Sequence, residues 1–463
     1  MAVPYGPTLT AAVPLKPPMN LRFVASCGLV CAALVFTGCS DGGRKSPGKT
    51  TVQVANAAPG FPSLQFRREQ DVNGAVEMVF KDGRTFVYDA DTYDFFISEP
   101  QFSVQDEGRV WTFAPTLEAN TIYQFILTEV AGEVVPAVIT VPALPTGDAA
   151  QIFGLHAAAT LPAMDLYLER PGVGIAGATP RATVNPTEQF SPRTLPSGDY
   201  ELFVTSAGNP ADVWLTSASI NLPAGTNSSF VIVDQRGTGT ERINVMLVQG
   251  TGSTVLFDRN SPSELRVING ASDQLARDVA INSQFSPPSF SATQFAAPTA
   301  YKSVPLGAYP VQVTPVGNPG VLEIDTATVG IIGEQVTMLF GGQTGALLPV
   351  FAVDDNRRLN REAKLRFMNA ASQFTAIDFT VVLPDGDPNI AFPQATLFPP
   401  GAAPYVTLHA GDYDLYMHQA GTPTILLGPT RITLAAGGIY GVLAVDGPDT
   451  ATASAVYFDD FVP

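Results

Sequence analysis

The strongest constraint on this chain is that it repeats itself four times. In the stretch LRFMNAASQFTAIDFTV, residues 365–381, Asn369-Ala370-Ala371 is followed nine residues after the Asn by Asp378, held between Ile377 and Phe379. The same frame occurs upstream as Asn269-Gly270-Ala271 with Asp278 and as His156-Ala157-Ala158 with Asp165. It occurs first as Asn56-Ala57-Ala58 with Gln65. Self-similarity at a fixed period is the signature of repeated structural units. A spacing of about one hundred residues is the length of a whole domain.

Two further landmarks recur in the same order. The first is a turn leading into a strand that begins with Tyr: Leu195-Pro196-Ser197-Gly198-Asp199-Tyr200, Val304-Pro305-Leu306-Gly307-Ala308-Tyr309, and Leu408-His409-Ala410-Gly411-Asp412-Tyr413. The first copy reads Asp89-Ala90-Asp91-Thr92-Tyr93, with Asp91 where the others have Gly. Gly198, Gly307 and Gly411 predict a tight turn with positive φ, which Asp tolerates better than most residues. After each Tyr the apolar residues alternate (Phe95 and Ile97, Leu202 and Val204, Val311 and Val313, Leu415 and Met417), which predicts strands with one buried face. A Tyr placed after such a turn is similar to the tyrosine corner of immunoglobulin-like sandwiches, where the hydroxyl ties the turn down. Tyr93, Tyr200, Tyr309 and Tyr413 are therefore expected to be structural. The last landmark is a second turn, with Gly225, Gly333 and Gly437 in three copies and Asn120 in the first. It lies 27, 25, 24 and 24 residues after the Tyr in chain order.

Composition supports short strands joined by turns. Gly and Pro number 41 and 40 among 463 residues, hydrophobic residues make 45% and charged residues 14%. The formal net charge of −17 argues against nucleic acid and anionic lipid as partners. It serves solubility first, with a cation-binding surface as the sharper alternative.

The N-terminal region reads as a leader. Met19-Asn20-Leu21-Arg22 is a short basic start, and the apolar run from Phe23 to Phe36 is too short to span a membrane. Leu34-Val35-Phe36-Thr37-Gly38-Cys39 resembles a bacterial lipoprotein signal, which implies lipidation of Cys39 and a membrane anchor there. Residues 1–18 fit no part of such a signal, so Met19 is the expected start. Residues 40–48 are polar and Gly-rich, like a tether. Cys27, Cys31 and Cys39 are the only cysteines, so the exported part is expected to hold together by burial rather than by disulfides.

Taken together, the opening motif, the Asp between apolar residues, and the two Gly turns resemble the DUF4397 family of exported bacterial β-sandwich domains. The resemblance covers nearly all of residues 51–463 and brings no catalytic residue with it. The first copy departs most, with Gln65, Asp91 and Asn120 in place of the expected residues.

A search for chemistry finds little. His156 reads as a turn cap, and His409 and His418 are too far apart in extended chain to share a metal. Asp165, Asp278 and Asp378 read as outward strand residues that bond a turn. Pro384-Asp385-Gly386-Asp387-Pro388-Asn389 has the Asp-x-Asp spacing of calcium loops without the rest of the pattern, and is taken as a turn. Trp111 and Trp214 read as packing, with sugar contact as the alternative. Arg357, Arg358, Arg361 and Lys364 form the densest basic cluster, expected to be a solvated linker.

The resulting expectation is all-β: four tandem immunoglobulin-like β-sandwiches at 51–146, 147–256, 257–355 and 356–463, after a leader at 1–38 and a tether at 39–50. The repeats are expected to lie like beads with limited interfaces. No catalytic, cofactor-binding or metal-binding residue is predicted. The expected function is a non-enzymatic outer-membrane lipoprotein acting as a structural spacer or as an adhesion module for a protein or glycan. The alternative is a binding protein for extracellular carbohydrate, accessory to a secreted enzyme.

Overall fold

The computed structural model describes residues 48–71, 74–100, 108–237 and 239–461. It is all-β: among the described residues there is no helix, and the strands gather into eight sheets of four or five strands each. Cys39 and the leader lie outside the described residues.

The first repeat sets the pattern. Its strands are β1 (Lys49–Asn56), β2 (Ser63–Arg68), β3 (Val76–Val79), β4 (Gly83–Asp89), β5 (Phe95–Ser98), β6 (Val110–Phe113), β7 (Ile122–Val130) and β8 (Glu133–Thr140). One sheet has the order β4-β1-β7-β8 and the other β3-β2-β5-β6. Strand β1 lies inside its sheet, antiparallel to β4 and parallel to β7. The other repeats keep this plan. Their first strands, Ala149–His156, Ser263–Ala271 and Glu362–Asn369, pair in parallel with Asn227–Asp234, Gln335–Gly342 and Ile439–Asp446. The second repeat adds one edge strand, Gly252–Leu256. In the fourth, the place of β4 is taken by two short pieces, Gly401–Ala402 and Val406–His409.

Each pair of sheets encloses an apolar core built from the alternating residues of its strands. In the first repeat Phe66, Phe95 and Phe125 meet there, with ring centroids 5.3 Å apart between Phe66 and Phe95 and between Phe95 and Phe125. In the sheet that holds it, the Tyr strand of the first and third repeats buries alternate residues, as the sequence predicts, whereas Tyr200–Thr205 and Asp414–His418 in the second and fourth are buried without a break.

The other sheet buries both faces, and this overturns the expectation of separate beads. The outer face of β4-β1-β7-β8 packs on its counterpart in the second repeat. Ala55, Ala57, Ile126 and Ile139 there join Phe153, Leu155, Ala157, Val231, Val233 and Met246 in a second apolar cluster between the repeats. The third and fourth repeats pack likewise, through Ile268 and Leu339 against Met368, Ala370, Leu443 and Val445. The sequence bears the mark of this: Phe230-Val231-Ile232-Val233 is continuously apolar because alternate residues serve two cores. The chain is thus two face-to-face pairs of repeats. Residues 47–463 form one compact unit.

Candidate functional site

The residues singled out in the sequence are brought into three recurring structural staples. In the opening motif, Asn56, Asn269 and Asn369 are buried. Each accepts a bond from the backbone N–H two residues on, at 3.0, 3.1 and 2.9 Å. Each also donates Nδ2 across to a carbonyl, of Met78, of Leu275 and Thr293, or of Leu397. His156 replaces this with one bond from Nε2 to the Pro162 carbonyl at 2.9 Å, and its buried Nδ1 has no partner. Burial holds the His156 ring below its usual pKa, against the Pro162 bond and Asp234, so the neutral form fits the site.

The strand aspartates form the second staple. Each spends one oxygen on the neighbouring strand and the other on a turn glycine. Asp165 accepts from Thr183 Oγ1 at 2.5 Å and Gly208 N at 2.7 Å. Asp278 accepts from Ala292 N at 2.7 Å and Gly317 N at 2.8 Å. Asp378 accepts from Thr396 Oγ1 at 2.5 Å and Gly421 N at 2.9 Å. All three glycines have φ between 70° and 74°.

The tyrosines form the third. The hydroxyls of Tyr93, Tyr200 and Tyr413 donate to the carbonyls of Asp89, Pro196 and His409, four residues upstream, at 3.0, 2.6 and 3.0 Å. Tyr309 is buried but makes no such bond among the described residues. Gly198, Gly307 and Gly411 have φ of 126°, 81° and 156°. Asp91 is a correction: it is not among the residues with positive φ, and its carboxylate instead accepts from Thr92 N at 2.8 Å. At the later turn the substitution works as the sequence suggests, with Asn120 at 56° beside Gly225, Gly333 and Gly437 at 67°, 71° and 73°.

Three other candidates have structural partners. Asp387 Oδ1 accepts from Asn389 N at 2.9 Å, closing its own turn. Trp111 donates to Glu133 and packs edge-on against Phe61 at 5.4 Å. Trp214 donates to Ser206 and Asp212, and Arg242 lies 3.3 Å over its ring. Among the described residues no group of three or more His, Cys, Asp or Glu could hold a metal.

The basic cluster is the second correction. It is no solvated linker but the centre of the junction where all four repeats meet. Arg357 Nη1 donates to the carbonyls of Pro59 and Phe61 at 2.6 and 2.7 Å. Arg361 pairs with Glu99 at 3.1 Å. Arg358 reaches the carbonyls of Gly437 at 2.8 Å and of Phe461. Lys364, only 3% exposed, pairs with Asp355. Beside them Arg236 and Asn360 both bond Glu129 Oε1, at 2.8 and 2.9 Å, while Gly60 N donates to Glu129 Oε2 at 2.7 Å. A Cβ on Gly60 would stand 2.3 Å from Asn360 Nδ2 and 2.4 Å from Arg236 Nη1, so a larger residue there would displace both side chains from Glu129.

An open-sided cavity of about 490 Å³ lies at this junction. Its walls come from every repeat: Phe80 and Lys81 from the first, Gln235 and Glu241 from the second, Asp354 and Asp355 from the third, Arg357, Lys364 and Tyr405 from the fourth. Burial lowers Lys81 and Lys364 to about 8, Glu241 and Asp355 pulling the other way, and burial raises the Glu241 carboxyl. A charged, concave site is the arrangement here with binding chemistry. Sequence reasoning missed Lys81, Glu241 and Tyr405, which belong to no repeated motif. Their only signal was that the copies differ there.

Residues 263–380 match the family described as Domain of unknown function (DUF4397). The match runs from the first strand of the third repeat into the second strand of the fourth, Ile377–Val382. No curated protein matches the chain. Among solved structures, the Bacillus anthracis TIE protein is similar at 12% identity and a TM-score of 0.16, over 87% of this chain and 69% of that one.

Proposed function

We propose that this chain is a non-enzymatic cell-envelope lipoprotein, anchored at the outer membrane through a lipid on Cys39, that acts as an adhesion or interaction module for a protein or glycan. The observation that supports this reading is the segment 383–398 of the fourth repeat, a loop followed by the short strand Ala395–Leu397. Leu383, Ile390, Phe392 and Phe398 are exposed there, Ile390 at 83% and Phe392 at 90%. Large apolar side chains gathered on a surface loop favour contact with a partner. The paired repeats argue for a module over a spacer. Face-to-face packing shortens the reach of the chain and gives the loop a rigid base.

Replacing Ile390 and Phe392 together with Ser in the full chain is the test. Retention on isolated envelope material should fall at least tenfold, with thermal stability unchanged. Equal retention overturns the reading. Protease treatment of intact cells decides the side of the membrane, since protection of the chain leaves only a periplasmic role. The carbohydrate alternative has less support at the tryptophans, because Arg242 occupies a face of Trp214 and Phe61 abuts Trp111.

A further inference from the structure

The cavity at the four-repeat junction stands apart from that loop and has chemistry of its own. In a chain of net charge −17 it gathers three cations, Lys81, Arg357 and Lys364. Only Lys364 has a carboxylate partner within 4.0 Å among the described residues. Lys81 Nζ is held by two neutral amide oxygens, Asn244 Oδ1 at 2.7 Å and Gln235 Oε1 at 3.2 Å. That uses two of its three donors. Arg357 spends Nη1 on the Pro59 and Phe61 carbonyls and lies 5.1 Å over the Phe80 ring, while Nε and Nη2 have no protein partner among the described residues.

The nearby acids offset this charge only in part, Glu241 and Asp355 acting on Lys81 and Asp355 on Arg357 without a direct ion pair. Asp354 is taken by Arg366, Tyr301 and Thr337. Asp355 is taken by Lys364. Glu241 is the one remaining carboxylate: Gln235 donates to its Oε2 at 3.0 Å, and its buried Oε1 has no partner. Lys81 and Arg357 are half-buried, and a cation partly withdrawn from water with an incomplete counter-charge favours an anion entering the cavity. An unpartnered buried acceptor calls for a donor on the same ligand.

We infer that the junction cavity binds a small hydroxylated carboxylate, of the sugar-acid class. Its carboxylate sits between Lys81 and Arg357 and a hydroxyl donates to Glu241 Oε1. The cavity, at about 490 Å³, lies within the range of small-molecule sites, roughly 300–1,000 Å³. Phe80 and Tyr405 line the cavity and add apolar surface for the carbon skeleton of such a ligand.

Calorimetric titration of the purified full chain at pH 7 tests this with three probes: D-glucuronate, D-glucose and inorganic phosphate. Glucuronate should bind with a saturable heat, glucose at least tenfold more weakly, and phosphate more weakly than glucuronate. Lys81→Gln should weaken glucuronate at least tenfold while the melting temperature stays within a few degrees. Glu241→Gln should narrow the gap between glucuronate and a carboxylate without hydroxyls, such as acetate. Because Arg357 also ties the repeats together, Lys81→Gln is the deciding variant. Absence of glucuronate binding overturns the inference, as does equal binding of glucose, tighter binding of phosphate, or binding that Lys81→Gln leaves unchanged. The variant of Ile390 and Phe392 should bind glucuronate as the parent does, so failure at the loop and failure at the cavity read separately.

Discussion

The two face-to-face seams share one fold and one packing plan but differ in substance. Between the first and second repeats the sheet faces meet through an apolar cluster, and the one ion pair joining these repeats among the described residues, Arg236–Glu129, lies at the junction. The residue three before the opening Asn or His is Gln53 in one and Phe153 in the other, and Phe153 packs in the shared cluster. Between the third and fourth repeats the same position holds Arg266 and Arg366, both buried. They cross over. Arg266 pairs with Asp460 of the fourth repeat, and Arg366 pairs with Asp354 of the third. Tyr301 donates to Asp354 at 2.6 Å and Tyr405 to Asp460. Each aspartate follows the last strand of its own repeat. One plan therefore accepts an apolar seam with or without a reciprocal pair of buried ions. The difference lies in specificity, because an apolar seam tolerates sliding whereas two crossed Arg–Asp pairs define one register.

The largest way to break this comparison is Arg366→Met. It leaves Asp354 buried with Arg266 at 3.8 Å as the nearest cation, and should cost about 3–5 kcal/mol in chemical denaturation. Adding Asp354→Asn, which keeps acceptors for Thr337 and Tyr301, should recover part of the loss. A single variant costing less than about 1 kcal/mol would show that the seam does not depend on its ions.

Gly270→Ala probes the close approach instead. Its Cβ would stand 2.4 Å from the Cβ of Ala370 and 3.1 Å from the Phe340 carbonyl, so overpacking of about 1–3 kcal/mol is expected. Exchanging the two residues, as Gly270→Ala with Ala370→Gly, should restore most of it. No recovery in thermal melts means that the Phe340 carbonyl, not the seam, sets the limit.

Tyr200→Phe removes the 2.6 Å bond to Pro196 and should cost about 0.5–1.5 kcal/mol. Tyr309→Phe should cost almost nothing, since that hydroxyl makes no such bond among the described residues. Equal losses at both sites would remove the tyrosine staple as an explanation.

The smallest effect is one of pH. His156 is held below its usual value of 6.5 by burial, so the folded state resists its protonation more than the unfolded chain does. Stability from this source is present above pH 6.5 and is lost as pH falls from there towards the lowered folded value. His156→Asn, the residue of the other three repeats, should flatten that acid-side decline. A parent and variant with parallel pH profiles would refute the assignment.

Much of the staple chemistry was legible in the sequence because it is local and repeated. An Asn bonding the N–H two residues on, or a Tyr reaching four residues back, involves separations a short motif can encode. Asn120 in place of Gly at a positive φ was readable for the same reason. Asp91 was not, since a substituted turn can change its backbone rather than its tolerance. The seams left a fainter trace. The opening motifs are spaced 100, 113 and 100 residues apart, which matches the pairing of first with second and third with fourth. The continuous run Phe230-Val231-Ile232-Val233 carried the same message of burial on two sides.

The junction had no such trace. Arg357, Lys81 and Glu241 lie on different repeats, and Arg357 meets carbonyls almost 300 positions away, at Pro59 and Phe61. In the sequence the cluster around Arg357 is a run of charge, and a run of charge ordinarily faces water. What the sequence by itself determined is the repeating unit: its strands, its turns, and the polar side chains that tie each turn to its own sheet. These rest on backbone geometry and on separations of a few residues. What only the tertiary structure decided is how the units meet. Whether a charge is solvated, paired or left facing a cavity depends on which surfaces the folded repeats bury against one another, and that is a property of the assembled surfaces and not of any one segment.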